Sequence, residues 1–381
     1  MVGAGEEDAV IVGGGPAGLA CAAMLGRAGV RATVLEAGDA VGTAWRRRYD
    51  RLRFNTSRLF SRLPGLRYPR GTPMFPSRDT FVASLVRYAE QQRIDVRTGT
   101  RALRLDRDQG GWWIRTSGGE LRARDVVVAT GYSCEPCVPP WDGREEFGAP
   151  IVHADEYRNP QPFRGRDVLV VGAGSSGMEI AHDLAEGGAG RVRMAVRTPP
   201  NILLRSVGGV PGDLPSIPLL HLPTRVVDAQ LRAMRRLLLG DLSAVGLPIP
   251  EEGIVSRLRR IGVAPAVVDR EVIAAIVEGR IEVVAGVESL DDAGVHLADG
   301  SRVAPDAVVA ATGYRCGLEG LVGHLDVLDE RGVPRVVGGE EAAPGLRFVG
   351  FIPLPGLVRV AGREAKRLAS DMAGSAARTG R

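Results

Sequence analysis

Two stretches of the chain share one pattern: a short run of apolar, β-branched residues, a glycine-rich break, then apolar positions at helical spacing. Ala9–Val12 reads as a buried strand, Pro16–Ala28 as the helix after it, and Arg31–Leu35 as a second strand ending at Glu36. Val168–Val171, Ser176–Glu186 and Arg191–Val196 repeat that order and end at Arg197. Apolar runs without alternation predict strands covered on both faces, as in a parallel sheet. A helix is expected over Asp79–Gln91, with Phe81, Leu85, Val86 and Tyr88 on one face. Arg101–Leu105, Trp112–Thr116 and Arg124–Val128 predict a small meander. Between Pro199 and Gly279 the pattern changes: a Pro-rich apolar stretch precedes a basic amphipathic helix, Thr224–Leu239. A helical lid over an apolar channel is the expectation there, and a membrane-surface helix the alternative. Arg280–Ala285, Val295–Leu297 and Val303–Ala311 are expected to complete the second sheet. Gly362–Met372 reads as a last helix, ahead of a loose tail, Ala373–Arg381.

The glycine breaks carry the first chemistry. They are Gly13-x-Gly15-x-x-Gly18 and Gly172-x-Gly174-x-x-Gly177, each between a strand and a helix. In such a turn the first glycine allows the tight bend and the second admits a pyrophosphate close to the backbone. The third lets helix and strand pack, and the phosphates lie at the positive helix N-terminus. Pro16 and Ala17, and Ser175 and Ser176, fall in the two first turns and are expected at the same phosphates. Glu36 is placed to bind the ribose hydroxyls of an adenosine, whereas Arg197 in the matching position favours a 2′-phosphate. Two different dinucleotides follow, FAD in the first site and NADPH in the second. The fold class is therefore α/β, with two Rossmann-like dinucleotide-binding domains. The segments Val126–Pro136 and Val308–Leu318 both run from an apolar strand into Ala-Thr-Gly-Tyr, which puts Thr130, Gly131, Thr312 and Gly313 at sharp exits beside the cofactors. Their recurrence brackets the second unit. It predicts an FAD domain over 1–161 plus 308–381, with an NADPH domain inserted at 162–307 that carries the helical lid at about 199–279. Ala40–Pro69 is rich in arginine and aromatic residues, Trp45 among them, and is expected to wrap the isoalloxazine.

Composition narrows the partners. With 381 residues, 44% of them apolar and 25% charged, the chain is of soluble-globular type and buries a large core. A net charge of +4 without any block of like charges argues against nucleic acid. Four cysteines, Cys21, Cys134, Cys137 and Cys316, do not make a disulfide framework. No long uncharged apolar run occurs, and MVGAGEEDAV lacks the form of a signal peptide, so a cytoplasmic protein without a membrane partner is expected. The expected partners are a small-molecule substrate and O2, and a homodimer is left open. Neither a Ser-His-Asp set nor clustered metal ligands are evident.

On these residues the chain resembles the class B flavin monooxygenases, the flavin-containing monooxygenase group, and within it the plant YUCCA enzymes. The family fingerprint FxGxxxHxxx(Y/F) is matched at Phe147, His153 and Tyr157, with Ala149 at the family's glycine position and Gly148 beside it. Also similar are YDRLR (Tyr49–Arg53), GSSGMEIAHDL, the run Leu237–Leu247 and the late VGF (Val349–Phe351). Asn55-Thr56-Ser57 is instead similar to the N- and S-oxidising members, in which the Asn lies beside the flavin; YUCCA enzymes differ there. The resemblance implies an NADPH- and O2-dependent oxygenase acting through a C4a-(hydro)peroxyflavin, with Asn55 slowing loss of peroxide and His153 serving as a hydrogen-bonding hinge. It implies N- or S-oxygenation of a small soft nucleophile. Oxidative decarboxylation of an aryl α-keto acid and Baeyer–Villiger oxidation are the alternatives. A second alternative is a pyridine-nucleotide disulfide reductase using Cys134 and Cys137, a C-x-x-C that the prolines at 136, 139 and 140 keep from opening a helix.

Overall fold

Strand β1 (Glu7–Val12) leads into helix α1 (Pro16–Arg27), strand β2 (Ala32–Leu35), helix α2 (Arg78–Gln91), strand β3 (Asp95–Arg97) and the meander β4 (Ala102–Asp108), β5 (Gly111–Thr116) and β6 (Gly119–Val128). The computed structural model describes residues 7–215, 222–262, 264–352 and 354–379. It divides into two compact units, one of Met1–Arg46, Ser57–Glu135 and Tyr314–Arg381, the other of Arg47–Thr56 and Pro136–Gly313.

In the first unit β1 pairs in parallel with β2 and β6, and β3 extends the sheet beyond β2. The late strand Leu346–Phe348 adds in parallel to the other side of β6, followed by Glu341–Ala343. Ala9–Val12 is buried throughout, as its unalternating pattern requires. Helix α1 lies against the closing helix Leu357–Thr379, whose buried Val358, Ala361, Ala365, Leu368 and Met372 recur every three or four residues. That helix starts earlier than expected and runs through Thr379. Most of the expected loose tail is helical, since Ala-rich sequence without proline favours helix.

The second unit has strands β7 (Ile151–His153) and β8 (Asp167–Val171), helix α3 (Ser175–Glu186), and strands β9 (Arg191–Val196) and β10 (Ile202–Leu204). Helices α4 (Thr224–Leu239) and α5 (Ile254–Ile261), strand β11 (Ala266–Val268) and helix α6 (Arg270–Val277) follow. Strands β12 (Glu282–Ala285), β13 (Val287–Asp291), β14 (Gly294–Leu297), β15 (Arg302–Val303) and β16 (Ala307–Ala310) complete it. The parallel sheet has the order β12-β9-β8-β16-β7. β14 does not join it, contrary to expectation: β13 and β14 form a tight hairpin, and with β15 they make a separate antiparallel sheet. The units also part at Glu135/Pro136 and Gly313/Tyr314, not near 161 and 308. The reason is that β7 pairs with β16, Val308 opposite Ile151, which ties residues 136–161 to the second unit.

Both ends of the stretch 199–279 are tied to the nucleotide fold, and its two central helices pair with each other. β10 pairs with β11, and Ile202, Leu204, Val268 and Ile273 share a buried cluster with Val168 and Ile180 of the nucleotide fold. The apolar stripe of α4, Val227 and Leu231, is covered by Ile254 and Val255 of α5. Asp228 accepts the Val255 N–H at 2.7 Å at the start of that helix. Residues 216–221, in the expected Pro-rich stretch, lie outside the described residues. Among the described residues no helix is long and apolar enough to cross a membrane.

Candidate cofactor and active-site residues

The two glycine turns are built alike. Gly13 has φ +114° and Gly172 φ +112°, backbone that disfavours a side chain. A Cβ on Gly13 would stand 2.7 Å from the Ala129 carbonyl oxygen, and one on Gly172 2.5 Å from that of Ala311, so each bend is pressed on the strand before the Ala-Thr-Gly turn. A Cβ on Gly18 or Gly177 would come within 1.9 Å of the carbonyl oxygen of Gly13 or Gly172, so both helices pack directly on their turns. The middle glycines behave differently. Gly15 and Gly174 have ordinary extended backbone, φ −84° and −77°, and a Cβ on either would meet no protein atom within 4 Å. Nothing inside the protein requires glycine there. Each is the N-cap of its helix, and no side chain caps either end. Open space at an uncapped helix N-terminus suits a pyrophosphate, and the residues present fit two dinucleotides.

Glu36 follows β2, and its carboxylate accepts the Gly14 N–H at 2.9 Å and the Gly38 N–H at 2.8 Å. Each oxygen keeps a lone pair for a hydroxyl donor. Pro16, at the first helical position, lacks an N–H and Ala17 is buried, so the first turn of α1 offers backbone and space instead of side-chain contacts. Trp45, in the short helical turn Thr43–Arg46, sets its ring edge-on to Phe81 with centroids 4.8 Å apart. The Thr130 hydroxyl is buried without a hydrogen-bond partner among the described residues, and Gly131 turns at φ +83° with open space beside it.

In the second unit Arg197 stands exposed just beyond β9 with no ion-pair partner among the described residues. Its neighbours are neutralised, Arg191 by Glu282 and Arg193 by Asp167. The Ser175 hydroxyl faces inward and accepts the Val267 N–H at 2.9 Å and the Asn55 amide N–H at 3.3 Å, so its backbone and Ser176 are left for phosphate. Thr312 and Gly313 are likewise engaged within the protein. Thr312 Oγ1 donates to the Cys137 carbonyl at 2.5 Å, and the Gly313 carbonyl accepts from His153 Nε2 at 3.0 Å.

His153 uses both ring nitrogens. Nδ1 accepts the Asp155 N–H at 3.0 Å, which makes Nε2 the donor to Gly313 and fixes a neutral ring. Burial holds its pKa below the ordinary value, against the opposing pull of the Gly313 carbonyl. Tyr157 is buried and donates to Asp183 Oδ2 at 2.8 Å; burial and the Asp183 charge push the phenol far above its usual range. Phe147 packs beside Leu169 and Val308. Ala149 does not take positive φ and a Cβ on Gly148 would meet nothing, so the exchange of glycine for Ala149 leaves this turn intact.

Sequence reasoning missed one cluster altogether. Arg205, just after β10, is 3% exposed and pairs with Glu179 of α3 and with Asp269, the residue before α6. Glu179 also accepts the Tyr49 hydroxyl at 2.5 Å. Asn55 Oδ1 lies 3.5 Å from Arg205 Nη2. The available signal was a glutamate flanked by Met178 and Ile180 on a helix with few exposed positions. None of the four cysteines forms a disulfide among the described residues, and neither Cys134 nor Cys137 lies in a helix.

A family model described as pyridine nucleotide-disulphide oxidoreductase matches residues 10–202. Indole-3-pyruvate monooxygenase YUCCA1 of Oryza sativa subsp. japonica is 38% identical over 351 residues, which are 90% of this chain and 86% of the relative. A double mutant of the flavin monooxygenase from Stenotrophomonas maltophilia shares the fold with a TM-score of 0.75 at 23% identity, covering 97% of this chain and 99% of its own. OTEMO, solved in complex with FAD and NADP, does so with a TM-score of 0.75 at 16% identity, covering 98% and 85%. The solved structures bear on the fold; the identity to the rice enzyme over nine-tenths of the sequence decides the family. The chain belongs to the YUCCA-like flavin-containing monooxygenases.

Proposed function

We propose that the chain is an NADPH- and O2-dependent flavin monooxygenase that holds FAD at the Gly13–Gly18 turn and NADPH at the Gly172–Gly177 turn. The observation that carries the reading is the open space beside Gly15 and Gly174, in turns whose Gly13, Gly18, Gly172 and Gly177 are each required by backbone neighbours. Bound FAD and NADPH supply the electron transfer and the reaction with O2. The chain's own part is to hold and orient. Glu36 takes the ribose hydroxyls of the first dinucleotide and Arg197 the 2′-phosphate of the second. His153 keeps the Gly313 turn in place as a neutral hydrogen-bonding joint, with no proton to exchange. Four cysteines with no disulfide among the described residues support a reducing, cytoplasmic setting.

Two acceptors have specific support. The Asn55 segment favours oxygenation of a soft nucleophile: a thioether, O2, NADPH and a proton give the sulfoxide, water and NADP⁺. The substrate in the rice relative's name favours an aryl α-keto acid, which with O2, NADPH and a proton gives the carboxylic acid one carbon shorter, CO2, water and NADP⁺. The deciding experiment follows NADPH and O2 consumption by purified yellow protein with a thioether, a tertiary amine and indole-3-pyruvate. Sulfoxide or N-oxide supports the first, and indole-3-acetate with CO2 the second. A colourless protein that does not oxidise NADPH in air would end both.

A further inference from the structure

We propose that Arg205 is a positioning residue for Asn55, tying the Asn55 segment to the first turns of the coenzyme-binding helix. Three parts of the second unit meet at this side chain. Its guanidinium pairs with Glu179, one turn into α3, and with Asp269 ahead of α6, while Nη2 faces Asn55 Oδ1. Its backbone N–H donates to the Val268 carbonyl at 2.8 Å, so the residue is anchored at both ends. The segment Arg47–Thr56 reaches the same helix twice more, through Tyr49 to Glu179 and through the Asn55 amide to the Ser175 hydroxyl. The orientation of the Asn55 carboxamide follows from these partners: oxygen toward the guanidinium, nitrogen toward Ser175. Asn55 itself is exposed and would otherwise rotate. An exposed amide with a role in the reaction needs something buried to aim it, and Arg205 is the buried group in reach. The planar fork is essential, because a lysine ammonium has the charge but not the spread to meet Glu179, Asp269 and Asn55 together.

This rests on the monooxygenase reading for the peroxide readout but not for the hydrogen-exchange readout. Arg205→Lys, Asn55→Ala and the double variant are compared by amide hydrogen exchange on the protein as purified, and by hydrogen peroxide released per NADPH. Arg205→Lys is expected to speed exchange of the amides around Asn55 by about two- to tenfold while the β8 and β9 amides stay protected. It should raise the peroxide ratio, and in the Asn55→Ala background it should add nothing to either readout. A purely structural Arg205 gives additive effects, and that result overturns the proposal. So does a normal peroxide ratio in Arg205→Lys with exchange altered, or in Asn55→Ala by itself. Wild-type protein that oxidises no NADPH defeats the proposed function, and the exchange cycle still decides whether Arg205 positions Asn55.

Discussion

Replacing Arg197 by glutamine gives the sharpest test of the coenzyme assignment. The guanidinium is exposed at the end of β9 and has no carboxylate partner among the described residues, so its donors face solvent and a phosphate would not have to displace a protein acceptor. The two nearest arginines on the strand are already paired with Glu282 and Asp167 and cannot take its place. A charge-assisted contact of this kind contributes about 1.5–3 kcal/mol, a factor of about 10–150 in affinity. Solvent exposure puts the expected loss toward the lower end, about 10- to 30-fold in kcat/KM for NADPH. NADH, which lacks the 2′-phosphate, should change by no more than about twofold. The wild-type preference should shrink between about 0.05 and 0.5 M salt, because the Debye length falls below the distance over which an exposed charge acts. Steady-state kinetics with both coenzymes, with FAD content as the control for folding, read all of this. An Arg197→Gln enzyme that keeps its NADPH preference would refute the argument, since the other arginines of β9 are already held by carboxylates.

Gly15→Ala should fold and, compared as apoprotein, melt like wild type yet bind FAD poorly, because the added methyl occupies only the space proposed for the pyrophosphate; a fully yellow variant would contradict this. Gly18→Ala should instead destabilise by about 1–3 kcal/mol or more, since its Cβ would be driven into the Gly13 carbonyl. His153→Gln should flatten the acid side of the stability profile. The native ring titrates below the unfolded value of 6.5, so the unfolded chain takes up a proton that the native ring refuses. The contribution of the neutral ring is therefore complete above about pH 6.5 and lost as pH falls through the lowered native pKa, and the gap between wild type and variant should narrow over that acid range in denaturant titrations. An unchanged gap would mean that His153 is not the titrating group. The Cys134→Ser/Cys137→Ser double variant should retain NADPH-driven oxygenation; loss of turnover in it, with thiols appearing from a disulfide as the wild-type protein oxidises NADPH, would favour the disulfide reductase reading instead.

Much of this was legible in the residues because a nucleotide-binding turn is local. Strand, glycines and helix are contiguous, and the acid or guanidinium that reads the ribose lies one strand further on, so the order of residue types already implies Glu36 beside Gly14 and Arg197 beyond β9. The paired Ala-Thr-Gly turns were legible as a repeat, though their use was not. Thr312 and Gly313 hold Cys137 and His153, whereas the Thr130 hydroxyl is left unpartnered among the described residues. Ser175, expected to face phosphate, turns its hydroxyl to Val267 and Asn55, residues 92 and 120 positions away.

What residue order alone established, then, was two α/β nucleotide folds, an acid after the second strand of one and a guanidinium after that of the other, and the family, all properties carried by neighbours in the chain. Tertiary structure decided where the units part, that β14 leaves the parallel sheet, and that β10, β11 and α6 within 199–279 pack into the core of the nucleotide fold. It also decided that Tyr49, Asn55, Glu179, Arg205 and Asp269 meet. These depend on contacts between residues far apart in sequence, where burial selects partners for a charged group and no local pattern records which ones it finds.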